Sequence, residues 1–499
     1  MLKTPQTAEK GVDRKQRAKE LQQTLSTLQI KLKEKQLPVI IVFEGWGASG
    51  KGTLIADTIK LLDPRYFKVT STLPATEPER RYPLMKRFFE GIPEYGKLSV
   101  MDRSWYQELA VARLEDGISR KEYDRRIASV NTFERQLTDD GYLIIKLFLH
   151  ISAEEQKKRF EKLEKSSSTS WRVTDKDRKR NKHYDEYFEQ QSDMLKRTNT
   201  DICPWNIIDA TDKQFARCRL FEILVENITA ALEADTVYPP ESDVKKLFGM
   251  KPTPKLSEVE LKDKTVQREE YEERLEKAQK ELSKLHGKLY KKKIPVVIAF
   301  EGWDAAGKGG AIKRVGAALD PRGYEAVPIA APDAREKVRH YLWRFWTRLP
   351  KDGHITIFDR TWYGRVMVER LEGFTPPERC AMAYREIDEF EKELTDCGVV
   401  VIKFWMQIDK DEQLNRFNDR MNTPEKRWKI TDEDWRNREK WDLYEPAIDE
   451  MIQKTSTVYA PWTIVEGNDK LFARLKVLET VNERLRAELD RRKHQNRKR

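Results

Sequence analysis

Apolar positions along the chain form a series of patterns that runs once from the N-terminus and then starts again. Leu21, Leu25, Leu28 and Leu32, spaced alternately by four and three residues, predict a charged amphipathic helix, and the same spacing returns at Ala278, Leu282, Leu285 and Leu289. Such a stripe suits packing inside its own domain better than a dedicated dimer seam. Pro38 and Pro295 stop the two helices, and the unbroken apolar runs Val39-Ile40-Ile41-Val42-Phe43 and Val296-Val297-Ile298-Ala299-Phe300 follow. Runs of this kind are what parallel strands buried on both faces require. Further runs end at Asp102 and Asp359 and cover Leu147-Phe148-Leu149 and Lys403-Phe404-Trp405, with helical stretches between them. The alternation predicts an α/β fold, a parallel sheet with helices on both faces.

The second series is a copy of the first. Glu44 and Glu301, Asp63 and Asp320, Asp102 and Asp359, Trp171 and Trp428, and Trp205 and Trp462 all stand 257 residues apart, so one domain was duplicated and fused. A chain of 499 residues exceeds one hydrophobic core, which agrees with two domains of about 230 residues. The reading places a first domain at 1–233, a linker at 234–263 and a second domain at 264–499. In the linker, Tyr238-Pro239-Pro240-Glu241 and Met250-Lys251-Pro252-Thr253-Pro254 have neither apolar periodicity nor a repeat partner. The basic tail Asp490–Arg499 reads as a frayed, solvated end.

Charge narrows the partners. Charged residues make up 36% and the formal net charge is +11, which favours a polyanion: a phosphate chain, a nucleotide or a nucleic acid. The four cysteines, Cys203, Cys218, Cys380 and Cys397, have neither metal-ligand spacing nor a dense disulfide pattern, so a reducing cytoplasm is expected. No apolar run reaches the roughly 18 residues that span a bilayer, and no membrane partner is expected.

Each copy carries a loop between a strand and a helix, Glu44-Gly45-Trp46-Gly47-Ala48-Ser49-Gly50-Lys51-Gly52 and Glu301-Gly302-Trp303-Asp304-Ala305-Ala306-Gly307-Lys308-Gly309. Gly302 and Gly307 permit a tight nest whose amides face phosphate oxygens, and Lys308 adds a point charge. The Ser or Thr that usually follows the lysine to hold Mg²⁺ is Gly309 here and Gly52 in the first copy, so a metal needs other ligands. Asp304, inside the loop, and Asp359, at the end of Ile355-Thr356-Ile357-Phe358, supply two hard oxygen donors, and Mg²⁺ takes only one or two carboxylates. The segment Arg416–Lys429, rich in Arg and Lys, follows a strand and a helix and could fold over a phosphate chain as a lid.

The motifs Glu301–Gly310, Leu319–Gly323, Leu342-Trp343-Arg344-Phe345, Phe358–Tyr363, Arg427–Ile430 and Ala460-Pro461-Trp462, in this order, resemble the second polyphosphate kinase family. The resemblance covers nearly all of both copies. It implies tandem P-loop kinase domains similar to thymidylate kinases, each with a basic lid, and Mg²⁺-dependent phosphoryl transfer between inorganic polyphosphate and a nucleotide. Fused two-domain members look like the type that makes ADP from AMP; no residue here selects AMP by itself. Carried over, the family pattern implies Asp304, Lys308, Asp359 and Arg360 as catalytic. It implies Gly302, Gly307, Gly309, Arg365, Arg420, Lys426, Arg427 and Lys429 as phosphate-binding, and Asp304 and Asp359 as the metal ligands.

The first copy departs at these places. Gly47 stands for Asp304, Leu163 for Arg420, Thr169 for Lys426, Ser170 for Arg427 and Glu108 for Arg365, while Lys51, Asp102 and Arg103 remain. The first domain therefore reads as a degenerate partner of a catalytic second domain. Two rival readings stay open: an ATP-dependent nucleoside monophosphate kinase, which the missing loop Ser/Thr disfavours, and a polyanion- or nucleic-acid-binding P-loop ATPase, for which no aromatic-basic groove stands out. Polyphosphate and an adenine nucleotide are the expected partners, without nucleic acid, in a monomer acting as an internal pseudo-dimer or in a homo-oligomer.

Overall fold

A computed structural model describes residue 2 and residues 13–110, 112–235 and 237–497. It divides into two compact units, one built mainly from the first copy and the other mainly from the second. The short segment Asp333–His340 belongs to the first unit and Glu77–Lys86 to the second, so each unit includes a piece of the other copy's sequence. Within the first unit Tyr95 N donates to Val338 O at 2.9 Å; within the second Asp352 N donates to Arg81 O at 2.8 Å.

The first unit holds a parallel sheet of β1 (Val39–Gly45), β2 (Phe67–Ser71), β3 (Leu98–Asp102), β4 (Leu143–His150) and β5 (Trp205–Asp209), in the order β2-β3-β1-β4-β5. The second unit repeats it with β6 (Val296–Gly302), β7 (Tyr324–Pro328), β8 (Ile355–Asp359), β9 (Val400–Gln407) and β10 (Trp462–Glu466), in the order β10-β9-β6-β8-β7. The four edge strands β2, β5, β7 and β10, less buried than the others, owe their place to pairing with their neighbours as much as to their own pattern. The expected fold, two tandem parallel sheets flanked by helices, is the one observed.

The leucine stripes do what their spacing predicts. Leu21, Leu25, Leu28 and Leu32 are buried on the helix Arg14–Glu34, which packs on the helix Lys213–Glu233; the second copy pairs Arg268–Lys291 with Lys470–Arg497 in the same way. The tail read as a frayed end instead continues the helix Lys470–Arg497, and Arg492 Nη2 donates to Gly398 O at 2.7 Å. Residues 498 and 499 lie outside the described residues. The proline-rich stretch after Tyr238 clusters with the second unit: Val244 and Leu256 are buried, and Leu256 N donates to Asp449 Oδ1 at 2.8 Å.

One buried ionic group recurs in both sheets. Lys403, midway along β9 and fully buried, donates to Glu391 Oε2 (2.7 Å), Tyr363 OH (2.7 Å) and Thr455 O (2.8 Å); Lys146 does the same with Glu134, Tyr106 and Thr198. All three ammonium protons are used, as a buried lysine requires. Tyr363 and Trp362 both donate to Glu391 Oε1, which fixes the turn that follows β8 and carries Arg360.

Candidate active site

The nest forms where β6 leaves the centre of its sheet. Gly302 lies beside β9 with φ +146°, and a Cβ on it would meet Met406 O at 2.6 Å, so only glycine lets the loop start so close to the strand. Ala305 at φ +61° and Gly307 at φ +105° then turn the chain into the helix Lys308–Gly316. Successive amides and the start of a helix in this geometry make a concave anion site. Lys308 Nζ donates to Gly302 O (2.6 Å) and Trp303 O (3.1 Å). The loop is braced from outside: buried Arg416 donates to Ala305 O at 2.9 Å, Gln413 Nε2 to Asp304 O at 3.1 Å, and Trp303 stacks on Trp441 with ring centroids 3.6 Å apart.

Asp304 is the hub of the site. Its Oδ2 accepts from Asn437 Nδ2 at 2.9 Å and its Oδ1 pairs with Arg360 Nη2 at 3.3 Å. Arg360 directly follows Asp359, the last residue of β8, and its φ of +66° is unusual for a side chain with a Cβ; Arg103 repeats it at +62°. Burial opposes the charge on Arg360, yet Asp304, Glu301, Glu433 and Asp359 outweigh it and raise its pKa. Glu301 ties the loop to the same turn: its Oε1 accepts from Thr361 N (2.7 Å) and Oγ1 (2.8 Å). Burial pushes its pKa up against those hydrogen bonds. Beside Asp304 and Arg360 a pocket opens, lined on its apolar side by Met367, Val368, Trp405, Tyr444 and Ile448. Its size and mixed lining suit a small organic ligand with a charged end.

The residues singled out in the sequence divide into two groups. Gly302, Asp304, Gly307, Lys308, Gly309, Asp359 and Arg360 come together at the loop and the end of β8. The others do not line the pocket. Arg365 is engaged by Glu369 (3.1 Å) and Thr375 and lies 4.2 Å from the Tyr341 ring. Arg420 donates to Lys429 O (3.1 Å), Lys426 pairs with Asp419 (3.0 Å), Arg427 donates to Met421 O (2.8 Å), and Lys429 sits 5.3 Å from the Trp428 ring. Lys426, Arg427 and Lys429 stand on the exposed segment Pro424–Lys429, which follows the helix Lys410–Asn422. Asn437, Glu301 and Gln413 are the site residues that sequence reasoning missed. Glu301 and Gln413 carried a signal, since Glu44 and Gln156 stand at the same places in the repeat; Asn437, with Arg180 at its place, did not.

The first copy keeps the nest. Gly45, Ala48 and Gly50 have φ of +127°, +57° and +105°, and Lys51 Nζ donates to Gly45 O and Trp46 O, both at 2.9 Å. Burial, and then Arg103, bring the Lys51 pKa down to about 8. The hub is gone, because Gly47 stands for Asp304 and Arg180, at the position of Asn437, pairs with Glu115 at 2.6 Å.

The model of one protein family, Polyphosphate kinase 2, matches residues 8–236 and again 265–493. The chain belongs to the polyphosphate kinase 2 family. A polyphosphate:AMP phosphotransferase of Pseudomonas aeruginosa is 40% identical over 473 residues, covering 94% of this chain and 95% of the relative. A protein of the same description from Acinetobacter johnsonii is 36% identical over 456 residues, with 91% and 92% coverage. A crystal structure from Pseudomonas aeruginosa assigned to polyphosphate kinase 2 superposes with a TM-score of 0.84 at 37% identity over 98% of each chain. Among the described residues no helix is long and apolar enough to cross a membrane.

Proposed function

We propose that the second copy transfers a phosphoryl group from inorganic polyphosphate to AMP, giving ADP and a chain shorter by one phosphate, and that the first copy does not. The observation that carries this reading is the fixed carboxylate of Asp304, held by Arg360 and Asn437 at the mouth of a loop whose usual metal-binding hydroxyl is replaced by Gly309. Relatives that match nearly the whole chain are described as acting on this pair of substrates.

The reaction forms a bond between an AMP phosphate oxygen and the terminal phosphorus of the chain, and breaks the bridging bond behind it. Its transition state is loose, so position and charge neutralisation supply most of the rate. The loop amides and Lys308 hold the transferring phosphate, and Arg360 meets charge that develops on its oxygens. The apolar wall of Met367, Val368 and Tyr444 takes the nucleoside, and the exposed cations of Pro424–Lys429 take the polyanion. Among the described residues no three His, Cys, Asp or Glu side chains gather into a complete metal cage. Two carboxylates fit Mg²⁺, which completes its shell with water and phosphate oxygens. Asp304 and Asp359 would hold that ion, and when bound it would neutralise phosphate charge.

Offering AMP with polyphosphate, AMP with ATP, or ATP with RNA in separate reactions tests the reading. ADP should form readily from polyphosphate; ADP formed with ATP alone would favour a conventional monophosphate kinase, and ATP hydrolysis stimulated by RNA would favour a nucleic-acid-dependent ATPase.

A further inference from the structure

Among the described residues that line the pocket beside Asp304, one carboxylate has no partner. Glu301 is held by Thr361 and Asp304 by Arg360 and Asn437, while Gln413 donates to Asp304 O and accepts from Arg438 at 3.3 Å. The indoles of Trp303 and Trp405 both donate to Gln407. Glu433 lines the same pocket and takes no hydrogen bond or ion pair among the described residues. It stands in the first turn of the helix Asp432–Glu439, four residues before Asn437 and so on the same face. Its charge is felt inside the pocket: Glu433 is among the carboxylates that raise the Arg360 pKa against burial, and burial, then Glu372, Asp304 and Glu433, push Tyr444 up to about 12.

The first copy settles the equivalent groups internally. Where the second copy has Glu433, Asn437 and Lys440, the first has Lys176, Arg180 and His183. Arg180 pairs with Glu115 at 2.6 Å, and the Tyr187 hydroxyl donates to the same carboxylate at 3.2 Å. In the second copy Lys440 takes the equivalent Glu372 at 2.7 Å, and the hydroxyl of Tyr444, buried on the pocket wall, has no hydrogen-bond partner. Buried polar groups are nearly always paired, so an unpaired hydroxyl in a pocket that also holds an unpaired carboxylate marks a place where a ligand supplies the partners.

The charge of Glu433 decides which part of a nucleotide it meets. A carboxylate only accepts hydrogen bonds and is repelled by phosphate, so it has to face a group that carries O–H or N–H. Asn437, one turn further along, holds Asp304 at the phosphate end, and Met367, Val368 and Ile448 form an apolar wall that suits a base. Ribose lies between phosphate and base in every nucleotide, and its two neighbouring hydroxyls fit the two oxygens of one carboxylate. We infer that Glu433 accepts hydrogen bonds from the two ribose hydroxyls of the acceptor nucleotide and makes the second copy select ribonucleotides over deoxyribonucleotides. The inference rests on the nucleotide reading of this pocket and adds the sugar to it. Lys176 at this place leaves the first copy without such an acceptor.

Turnover of AMP and of dAMP, which lacks one of the two hydroxyls, compared at saturating polyphosphate, tests the contact. The wild type should favour AMP in kcat/KM by about tenfold or more, the scale of a hydrogen bond to a charged group. Glu433→Ala should abolish most of that preference by losing AMP and sparing dAMP, whose retained turnover also shows that the variant folds; the KM for polyphosphate should not move. A wild type that uses both sugars equally would overturn the inference. So would a variant that loses both equally or needs more Mg²⁺, which would make Glu433 a metal ligand. Purine riboside monophosphate, which lacks the exocyclic amine of AMP, separates sugar from base. Glu433→Ala should weaken its use as it weakens that of AMP; indifference to the substitution would move the contact to the base and overturn the inference. Calorimetric binding of AMP and dAMP to the full chain without a donor keeps this contact apart from the catalytic reading. A preference for AMP in binding that depends on Glu433, with no ADP formed from polyphosphate, would sink the catalytic reading and leave the ribose contact standing.

Discussion

Asn437 Nδ2 donates to Asp304 Oδ2 at 2.9 Å, so the helix Asp432–Glu439 grips the P-loop through the carboxylate that the first copy lacks. Asn437 acts through Asp304, and its removal should disturb position more than charge. Asn437→Ala should lower kcat by about tenfold, less than loss of the carboxylate itself, because a misplaced group costs part of the orientation advantage. Asn437→Asp should be worse than alanine, since it sets two carboxylates side by side. Steady-state kinetics on both variants checks the order; equal rates for the two would remove this contact from the mechanism.

Asp304→Asn and Asp359→Asn should each cost at least about a hundredfold in turnover at saturating Mg²⁺, the scale of one preorganised charge-stabilising group. The site has no loop hydroxyl at Gly309 to take over. Near-normal turnover in both would take the carboxylates out of the reaction.

Neutralising Lys426 and Arg427 together should raise the KM for polyphosphate and leave that for AMP nearly unchanged. Both stand on the exposed segment Pro424–Lys429, away from the apolar pocket, and the polyphosphate dependence should weaken steeply with salt. Loss of AMP affinity with polyphosphate use intact would contradict the assignment.

Asp388 makes a prediction about pH. Its carboxyl is fully buried, neither oxygen has a hydrogen-bond partner, and burial, helped by Glu391, pushes its pKa up to about 8. The folded chain thus keeps a proton that the unfolded chain releases above about pH 4, so this group costs stability as pH rises from about 4 to 8. Asn131 occupies the same place in the first copy and donates to Arg197 O at 3.1 Å. Asp388→Asn should gain about 3 °C or more in Tm relative to wild type between pH 5 and pH 8. A difference that stays constant across this range would mean that Asp388 is ionised in the fold.

The fold was legible in the sequence wherever the pattern was strong. The central strands β1 and β6 open as continuous apolar runs, and β4 and β9 are broken in their middle only by Lys146 and Lys403, because both faces are covered, and the leucine stripes pack as their spacing requires. Edge strands such as β2 and β7, with mostly exposed residues, carry no such mark and exist through pairing. At the site, the loop and the end of β8 could be read because glycine, lysine and aspartate have fixed jobs at fixed spacing. Asn437 could not, since it reaches Asp304 from 133 residues away and nothing local distinguishes it from a solvated asparagine. The charge of the basic segment could be read from its spacing, but not the local partners its cations take, Asp419, Met421, Trp428 and Lys429, which depend on how the segment folds back on its own helix.

The central claim is that one of two similar nests does the chemistry. The most direct test compares Lys51→Ala with Lys308→Ala in ADP formation from AMP and polyphosphate, expressed per folded molecule, with melting measured in parallel. Lys51→Ala should keep most of the wild-type kcat, and Lys308→Ala should lose nearly all of it. Equal losses in kcat would contradict the account, for they would make the first nest catalytic despite Gly47.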